Sequence, residues 1–297
     1  LYVGTSTGIC CFRTNFEVSK HDCHFNLDFV LETETQAASH SLAFAPDGRL
    51  LVSSANNDRA IYVWDTVMKK TSKMWCLDGG LGNALVQWSP SGLHLAVGAS
   101  DGLHPDEPER GMVVFVETNE WTRAPVSHEQ PLQALVWVGT SDLLYCTQGG
   151  QHVHHSALDP NNPVAQPLSN TPAPFSLAHD MTRITGDGGV GNLAIHTLVS
   201  DPLTGRVAVS FAYTDPSDTG HDGTKGKRLY HKVALYLSLC HPIFSLTLDE
   251  KSCITGTPDR EPISMAFRPS REGSTSRNSD LCVLWKDEKG RHWMSLH

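Results

Sequence analysis

Long apolar runs are missing from this chain, and with them any helix able to span a bilayer. No stretch of ~18 consecutive apolar residues occurs, and the longest runs, such as the one in KVALYLSLC, break within about nine positions, which is strand length. Direct membrane insertion is therefore excluded at the sequence level. Positive charge is also short: 23 Lys and Arg stand against 32 Asp and Glu, a formal net of −9, with one basic concentration at Lys225 to Arg228. Nucleic acid is excluded as the main partner, because binding its backbone needs a broad positive face. Charged residues of both signs amount to 19%, below the ~25% of an average domain, which implies uncharged loop surface suited to protein contacts. The eight cysteines (Cys10, Cys11, Cys23, Cys76, Cys146, Cys240, Cys253, Cys282) contain no C-x-x-C pair. That excludes a zinc ribbon and a dense disulfide scaffold, and a reducing compartment is expected. Cys10 and Cys11 point to opposite faces of one strand, so a bond between them is excluded. An initiator Met and a basic signal-peptide n-region are lacking as well. The opening LYVGTSTGICCF reads as the interior of a domain, and a fragment of a longer protein is expected.

What the 297 residues do contain is a recurring pattern. Residues 41–65 read SLAFAPDGRLLVSSANNDRAIYVWD: an alternating strand ending in an aromatic, a Pro/Gly turn, a second strand, a polar turn, and a third strand closed by Asp65. The pattern returns as ALVQWSPSGLHLAVGAS with GMVVFV, as ALVWVGTSDLLYCT with GQHVHHSAL, as HTLVSDPLTGRVAVSFAYTD with KVALYLS, and as SMAFRPS with DLCVLWKDEKGRHWMSL. The residues just before each first turn are Phe44, Trp88, Trp137, Ser200 and Phe267, separated by 44, 49, 63 and 67 positions. The first two intervals sit near the ~40–45 residues of a WD40 repeat, and the others exceed it by visible insertions.

A four-stranded antiparallel blade explains the pattern, since it buries its apolar faces only against neighbouring blades. The fold expected is an all-β, WD40-type β-propeller, with the ending of one blade at 1–29 and successive blades at 30–80, 81–128, 129–180, 181–258 and 259–297. Dividing the length by ~43 suggests about seven repeats, but five complete starts occur, so the chain is expected to begin partway through a blade and to leave the ring incomplete. In DRAIYVWD, Asp58 is placed to accept turn amides, Ile61 and Val63 face one side of the sheet, and Tyr62 and Trp64 face the other. Trp64-Asp65 is the WD dipeptide. The repeat positions expected to carry structure are Phe44, Asp58, Trp64, Asp65, Trp88, Trp137, Phe267 and Trp285, with the strand tryptophans in the core. Trp75, Trp121 and Trp293 fall at or beyond strand ends. Trp121 is the candidate partner anchor, with packing between blades as its structural alternative.

The succession SLAFAPDGRLLVSSANNDRAIYVWDT, NALVQWSPSGLHLAVG, VFVETNEWTRAPV, PIFSLTLDEKS, ISMAFRPS and LCVLWKDEKGRHWMSL resembles the Aladin family of WD-repeat nucleoporins over nearly the whole chain. The most telling stretch is VFVETNEWTRAPV, where an acidic strand end is followed by Trp121. The match breaks at the insertion 101–110, at the turn WVGTSD and at the loop 215–228. The resemblance implies a seven-bladed propeller that scaffolds the nuclear pore complex, docks to a membrane-embedded ring nucleoporin at the nuclear envelope, supports nucleocytoplasmic transport and needs no cofactor.

Propellers also house metal-dependent hydrolases and lactonases. His152 and His154 share a strand face and suit a transition metal, yet no Cys or carboxylate at ligand spacing completes a set with His155. These three are expected to be exposed loop histidines. No G-x-S-x-G elbow occurs. GDGGVG at Gly186 to Gly191 precedes a strand, not the helix that a phosphate loop requires. Asp106, Glu107 and Glu109 lie among prolines and are expected to be solvated. No catalytic, cofactor or metal residue is assigned. A propeller enzyme and a WD adaptor of another complex remain the alternatives.

Overall fold

Alternating strands joined by tight turns leave each strand's neighbour in sequence as its neighbour in the sheet. A computed structural model of the chain follows that rule within each sheet, with one exception in the fifth. It describes residues 1–5, 8–17, 22–32, 39–55, 60–76, 85–101, 110–128, 130–159, 173–176, 191–201, 204–214, 229–240, 244–249, 253–255, 260–268, 279–287 and 289–297. Asp58, the acidic cluster at 106–109 and Gly186 to Val190 lie outside them.

The described strands form six antiparallel sheets, and they contain no helix. The first is β1 (Tyr2–Thr5), β2 (Gly8–Glu17) and β3 (Asp22–Leu31), reaching two residues beyond the boundary expected at 29. The second is β4 (Ser39–Phe44), β5 (Leu50–Ala55), β6 (Ala60–Asp65) and β7 (Lys70–Cys76). The third is β8 (Leu85–Trp88), β9 (His94–Asp101), β10 (Arg110–Glu117) and β11 (Arg123–His128). The fourth is β12 (Leu132–Val138), β13 (Asp142–Thr147), β14 (His152–Ala157) and β15 (Ala173–Ser176). The fifth joins β16 (Gly191–Ser200), β17 (Arg206–Thr214), β18 (Leu229–Leu239) and β19 (Ser245–Leu248), with β20 (Ile254–Thr255) also paired to β18. The sixth is β21 (Arg260–Arg268), β22 (Asp280–Asp287) and β23 (His292–Leu296). The chain divides into two compact units, Leu1–Pro131 with the first three sheets and Leu132–His297 with the last three.

The repeat is chemical as well as topological. In the first turn of the second sheet the Ala45 amide donates to the Leu50 carbonyl at 2.9 Å and the Gly48 amide to the Ala45 carbonyl at 2.8 Å. Ser89 donates to His94 at 2.8 Å and Gly92 to Ser89 at 2.9 Å in the third sheet. Gly48 and Gly92 hold φ of 73° and 75°, the left-handed region that glycine enters without a Cβ penalty. A second link recurs in four sheets, where an amide at the end of the third strand or just after it donates to a carbonyl of the first turn: Thr66 to Arg49, Thr118 to Leu93, Leu158 to Ser141 and Ser238 to Gly205.

Alternation then fills both faces of a sheet. In the second sheet Leu51, Tyr62 and Trp64 pack with Ile9 and Leu31 of the first. Val52, Ile61 and Val63 pack with Val86, Trp88, Leu95 and Val97 of the third. The second unit repeats the arrangement. Val207, Val209 and Phe211 join the fourth sheet's Val136, Leu144 and Val153, whereas Ala208 turns to Met265, Leu281, Val283 and Trp285 of the sixth. Each fully buried Leu, Val or Phe contributes about 1.5–3 kcal/mol, so sandwiching a sheet between two others roughly doubles what a half-buried sheet gains.

Phe44 is 41% exposed: it lies in the row Phe44, Leu51, Trp64, on the edge strand, where its ring meets Tyr2 edge-on at 4.8 Å. One expectation needs correction. The three histidines are strand residues of β14, and His152 is the one that is exposed. His154 stacks on Tyr145 at 5.4 Å. His155 lies flat on Phe244 at 3.9 Å and bonds the Asp142 carboxylate at 2.8 Å, so burial and a carboxylate on the next strand retain it in the core.

Candidate functional site

A strict period-2 strand sends successive side chains to opposite faces, and a single extra residue breaks that order and re-aims a side chain. Such a bulge occurs in the first strand of four sheets. It falls at His40 between Ser39 and Ser41, at Gln133 between Leu132 and Ala134, at His196 between Ile195 and Thr197, and at Ile263 between Pro262 and Ser264. Each stands four residues before its register residue: Phe44, Trp137, Ser200 or Phe267.

In the second unit the three bulged residues meet. Gln133, His196 and Ile263, with Thr197, His231, Glu261 and Pro262, line a cleft of about 240 Å³ where β12, β16, β18 and β21 come together. The Gln133 side-chain amide donates to the His196 carbonyl at 3.3 Å, tying two of the bulges to each other. The His196 and His231 rings meet edge to face, 6.0 Å apart at 79°. His231 is 8% exposed, and burial, followed by the adjacent His196 ring, holds it below the ordinary histidine value, with the Glu261 carboxylate pulling the other way. Two histidines, a glutamate, a glutamine and a threonine thus line one small space together with Pro262 and Ile263. Among the described residues no group of three or more His, Cys, Asp or Glu is placed to hold a metal ion. No helix among them is long and apolar enough to cross a membrane.

The expected repeat residues lie elsewhere. Trp64 is 1% exposed and donates from its indole nitrogen to Ser53 Oγ at 2.8 Å. Asp65 follows it and accepts the Val67 and Met68 amides at 3.0 and 2.8 Å and the Arg49 guanidinium at 3.3 Å. The Met68 amide foremost holds its carboxyl below the usual range. Glu117 occupies the same position in the third sheet, accepting Asn119 and Glu120 amides at 2.8 Å each. Burial pushes its carboxyl up, and those amides outweigh it and bring it below the usual value. Trp88, Trp137 and Trp285 are buried, and Phe267 is half-buried beneath the Arg206 guanidinium. Trp121 is half-buried at a φ of 62° and meets Trp88 edge to face at 6.2 Å, so it is engaged in packing. Trp293 is half-buried, with the Arg260 guanidinium 4.0 Å from its ring. None of these residues lines the cleft. Of the residues that do, Gln133, His196 and Ile263 are signalled in the sequence by their fixed offset of four positions before Trp137, Ser200 and Phe267, whereas His231 and Glu261 carry no such signal.

The WD domain, G-beta repeat family matches residues 30–65. No curated protein matches the chain. Among solved structures, hydrazine synthase of Kuenenia stuttgartiensis superposes with a TM-score of 0.56 at 11% identity, covering 96% of this chain and 75% of that one. The Cps50 (Swd1) β-propeller domain of Myceliophteria thermophila gives 0.53 at 10% identity over 99% and 85%. The periplasmic gluconolactonase PpgL of Pseudomonas aeruginosa gives 0.49 at 15% identity over 100% and 97%. The likeness to the first two, with the WD match, makes the fold an all-β, WD40-type β-propeller.

Proposed function

We propose that this propeller is a non-enzymatic scaffold of the nuclear pore complex, docking to a membrane-embedded ring nucleoporin at the nuclear envelope and supporting nucleocytoplasmic transport. The observation that carries the scaffold reading is the way the repeats are built. Their described turns are tied by recurring amide bonds and capping carboxylates, which supports a framework that holds loops for contact with other proteins. WD40 propellers mediate protein contacts, which agrees with this reading. The assignment to the pore rests on the resemblance to the Aladin family, strongest at 114–126, where Glu117 caps the turn that carries Trp121. No cofactor is required for such a role.

Affinity capture from nuclear envelopes tests it. Pore ring components should be recovered with the tagged protein and lost when the envelope is omitted. Enrichment of an unrelated complex would replace the pore by a different adaptor role, and turnover of a lactone or ester by the purified chain would replace the scaffold by an enzyme.

A further inference from the structure

We infer that the cleft between β12, β16, β18 and β21 is a binding site for a cationic side chain, an arginine or lysine carried by a partner protein. The inference rests on the scaffold reading and names the chemistry of the partner at one place.

Three successive first strands each spend an extra residue at the cleft, and bulges of this kind re-aim side chains beside functional sites. The groups they and their neighbours bring together are hydrogen-bond acceptors. Glu261 supplies a carboxylate. Gln133 directs its Nε2 to the His196 carbonyl, which leaves its Oε1 as the end available to a ligand. His196 and His231 each offer an acceptor nitrogen while neutral, and burial keeps His231 neutral at physiological pH. Thr197 adds a hydroxyl. An ammonium or guanidinium is the complement of that set, because it carries three or five donors and no acceptor.

Size and lining agree. About 240 Å³ is smaller than the ~300–1,000 Å³ of sites for whole small molecules and suits the end of one side chain. Pro262 is buried and Ile263 is 41% exposed, so the wall they form can receive the methylene stem that lysine and arginine lay along apolar surface. The formal net charge of −9 attracts a basic segment at longer range.

The charged groups around the imidazole pair make the site sensitive to pH. β12 contributes the uncharged Gln133, β16 His196, β18 His231, and β21 Glu261, whose cross-strand neighbour on β22 is Lys286. Lys232, next to His231, is turned to the Tyr213 ring, 5.9 Å away. Protonating the two imidazoles would place positive charge opposite the ligand and expel it.

The test uses the whole chain and short blocked peptides. NMR signals of the His196 and His231 rings, assigned through His196→Gln and His231→Gln, are followed while Ac-Gly-Arg-Gly-amide, its Lys counterpart, its Glu counterpart or inorganic phosphate is added. Near pH ~7.5 the Arg or Lys peptide should shift both rings saturably, and Glu261→Gln should weaken that binding about tenfold or more while leaving the melting temperature in place. Acidification to about pH 5 should weaken it comparably. Equal shifts with the Glu peptide or phosphate, no saturable shift with either cation, or an unaltered affinity in Glu261→Gln would overturn the assignment. The titration needs no pore component. Failed capture with a successful titration removes the pore role and keeps the site, and the converse removes the site and keeps the role.

Discussion

At the scale of single residues, the tryptophan of the WD dipeptide does two jobs that substitution can separate. Its ring fills the interface between the first and second sheets with Ile9, Leu31 and Leu51, and its indole nitrogen satisfies the buried Ser53 hydroxyl. Trp64→Ala should cost ~3–5 kcal/mol, a large share of the ~5–15 kcal/mol that holds a typical domain together. Trp64→Phe keeps most of the ring but strands the hydroxyl, and about 1–3 kcal/mol is expected. Trp64→Phe with Ser53→Ala removes both partners and should recover part of that loss. Urea unfolding of the three variants checks the order. Equal midpoints for Trp64→Phe and the double variant would mean that the hydrogen bond contributes nothing. Phe44, open on one side at its edge strand, should be far more tolerant of truncation than Trp64 even though both mark the same repeat.

At the scale of the element, the bulge is what a strand can least easily lose. Deleting His196 would shift the residues on one side of it by one position, and in a strand a one-residue slip turns every apolar side chain to the wrong face. Leu193 and Ile195, both buried against the fourth and fifth sheets, would then exchange places with the exposed side. His196→Ser retains the residue count and the carbonyl that Gln133 bonds. The deletion should abolish soluble expression or strip the chain of near-ultraviolet ellipticity, whereas His196→Ser should melt within a few degrees of the parent. Equal behaviour of the two would show that the bulge is a tolerated irregularity with no effect on register.

At the scale of the whole molecule, two sets of groups make stability fall with acid. Asp65, Glu117 and Asp287 all titrate below the usual carboxylate value. Their stabilisation is therefore complete above the unfolded value and is lost as pH falls through the folded one. His94, His154 and His231 are held below the usual histidine value, first of all by burial. The folded chain resists a proton that the unfolded chain accepts, so stability begins to fall once pH drops below about 6.5. Both signs agree: the urea midpoint should decline from about pH 7 to about pH 5.5 through the histidines, and further toward about pH 4 through the carboxylates. Asp65→Asn should flatten the lower part of the profile and leave the upper part alone. A midpoint that rises on acidification would contradict the burial of these imidazoles.

What the sequence determined by itself was everything carried by local periodicity. Alternation over five to ten residues, closed by Pro and Gly turns at Gly48 and Gly92, specifies antiparallel neighbours without reference to the rest of the chain, and the all-β propeller fold follows from its repetition. The opposite facing of Ile61 and Val63 against Tyr62 and Trp64 was legible for the same reason. Tertiary structure alone decided which edge residues stay open, as at Phe44, and which histidines are retained inside, as His155 is by Asp142 and Phe244. It also decided the cleft. A bulge adds one residue to a short strand, too small a break in alternation to stand out, and Gln133, His196, His231 and Glu261 come from four strands far apart in the chain. Their convergence depends on how whole sheets pack, and no local preference of the backbone encodes it.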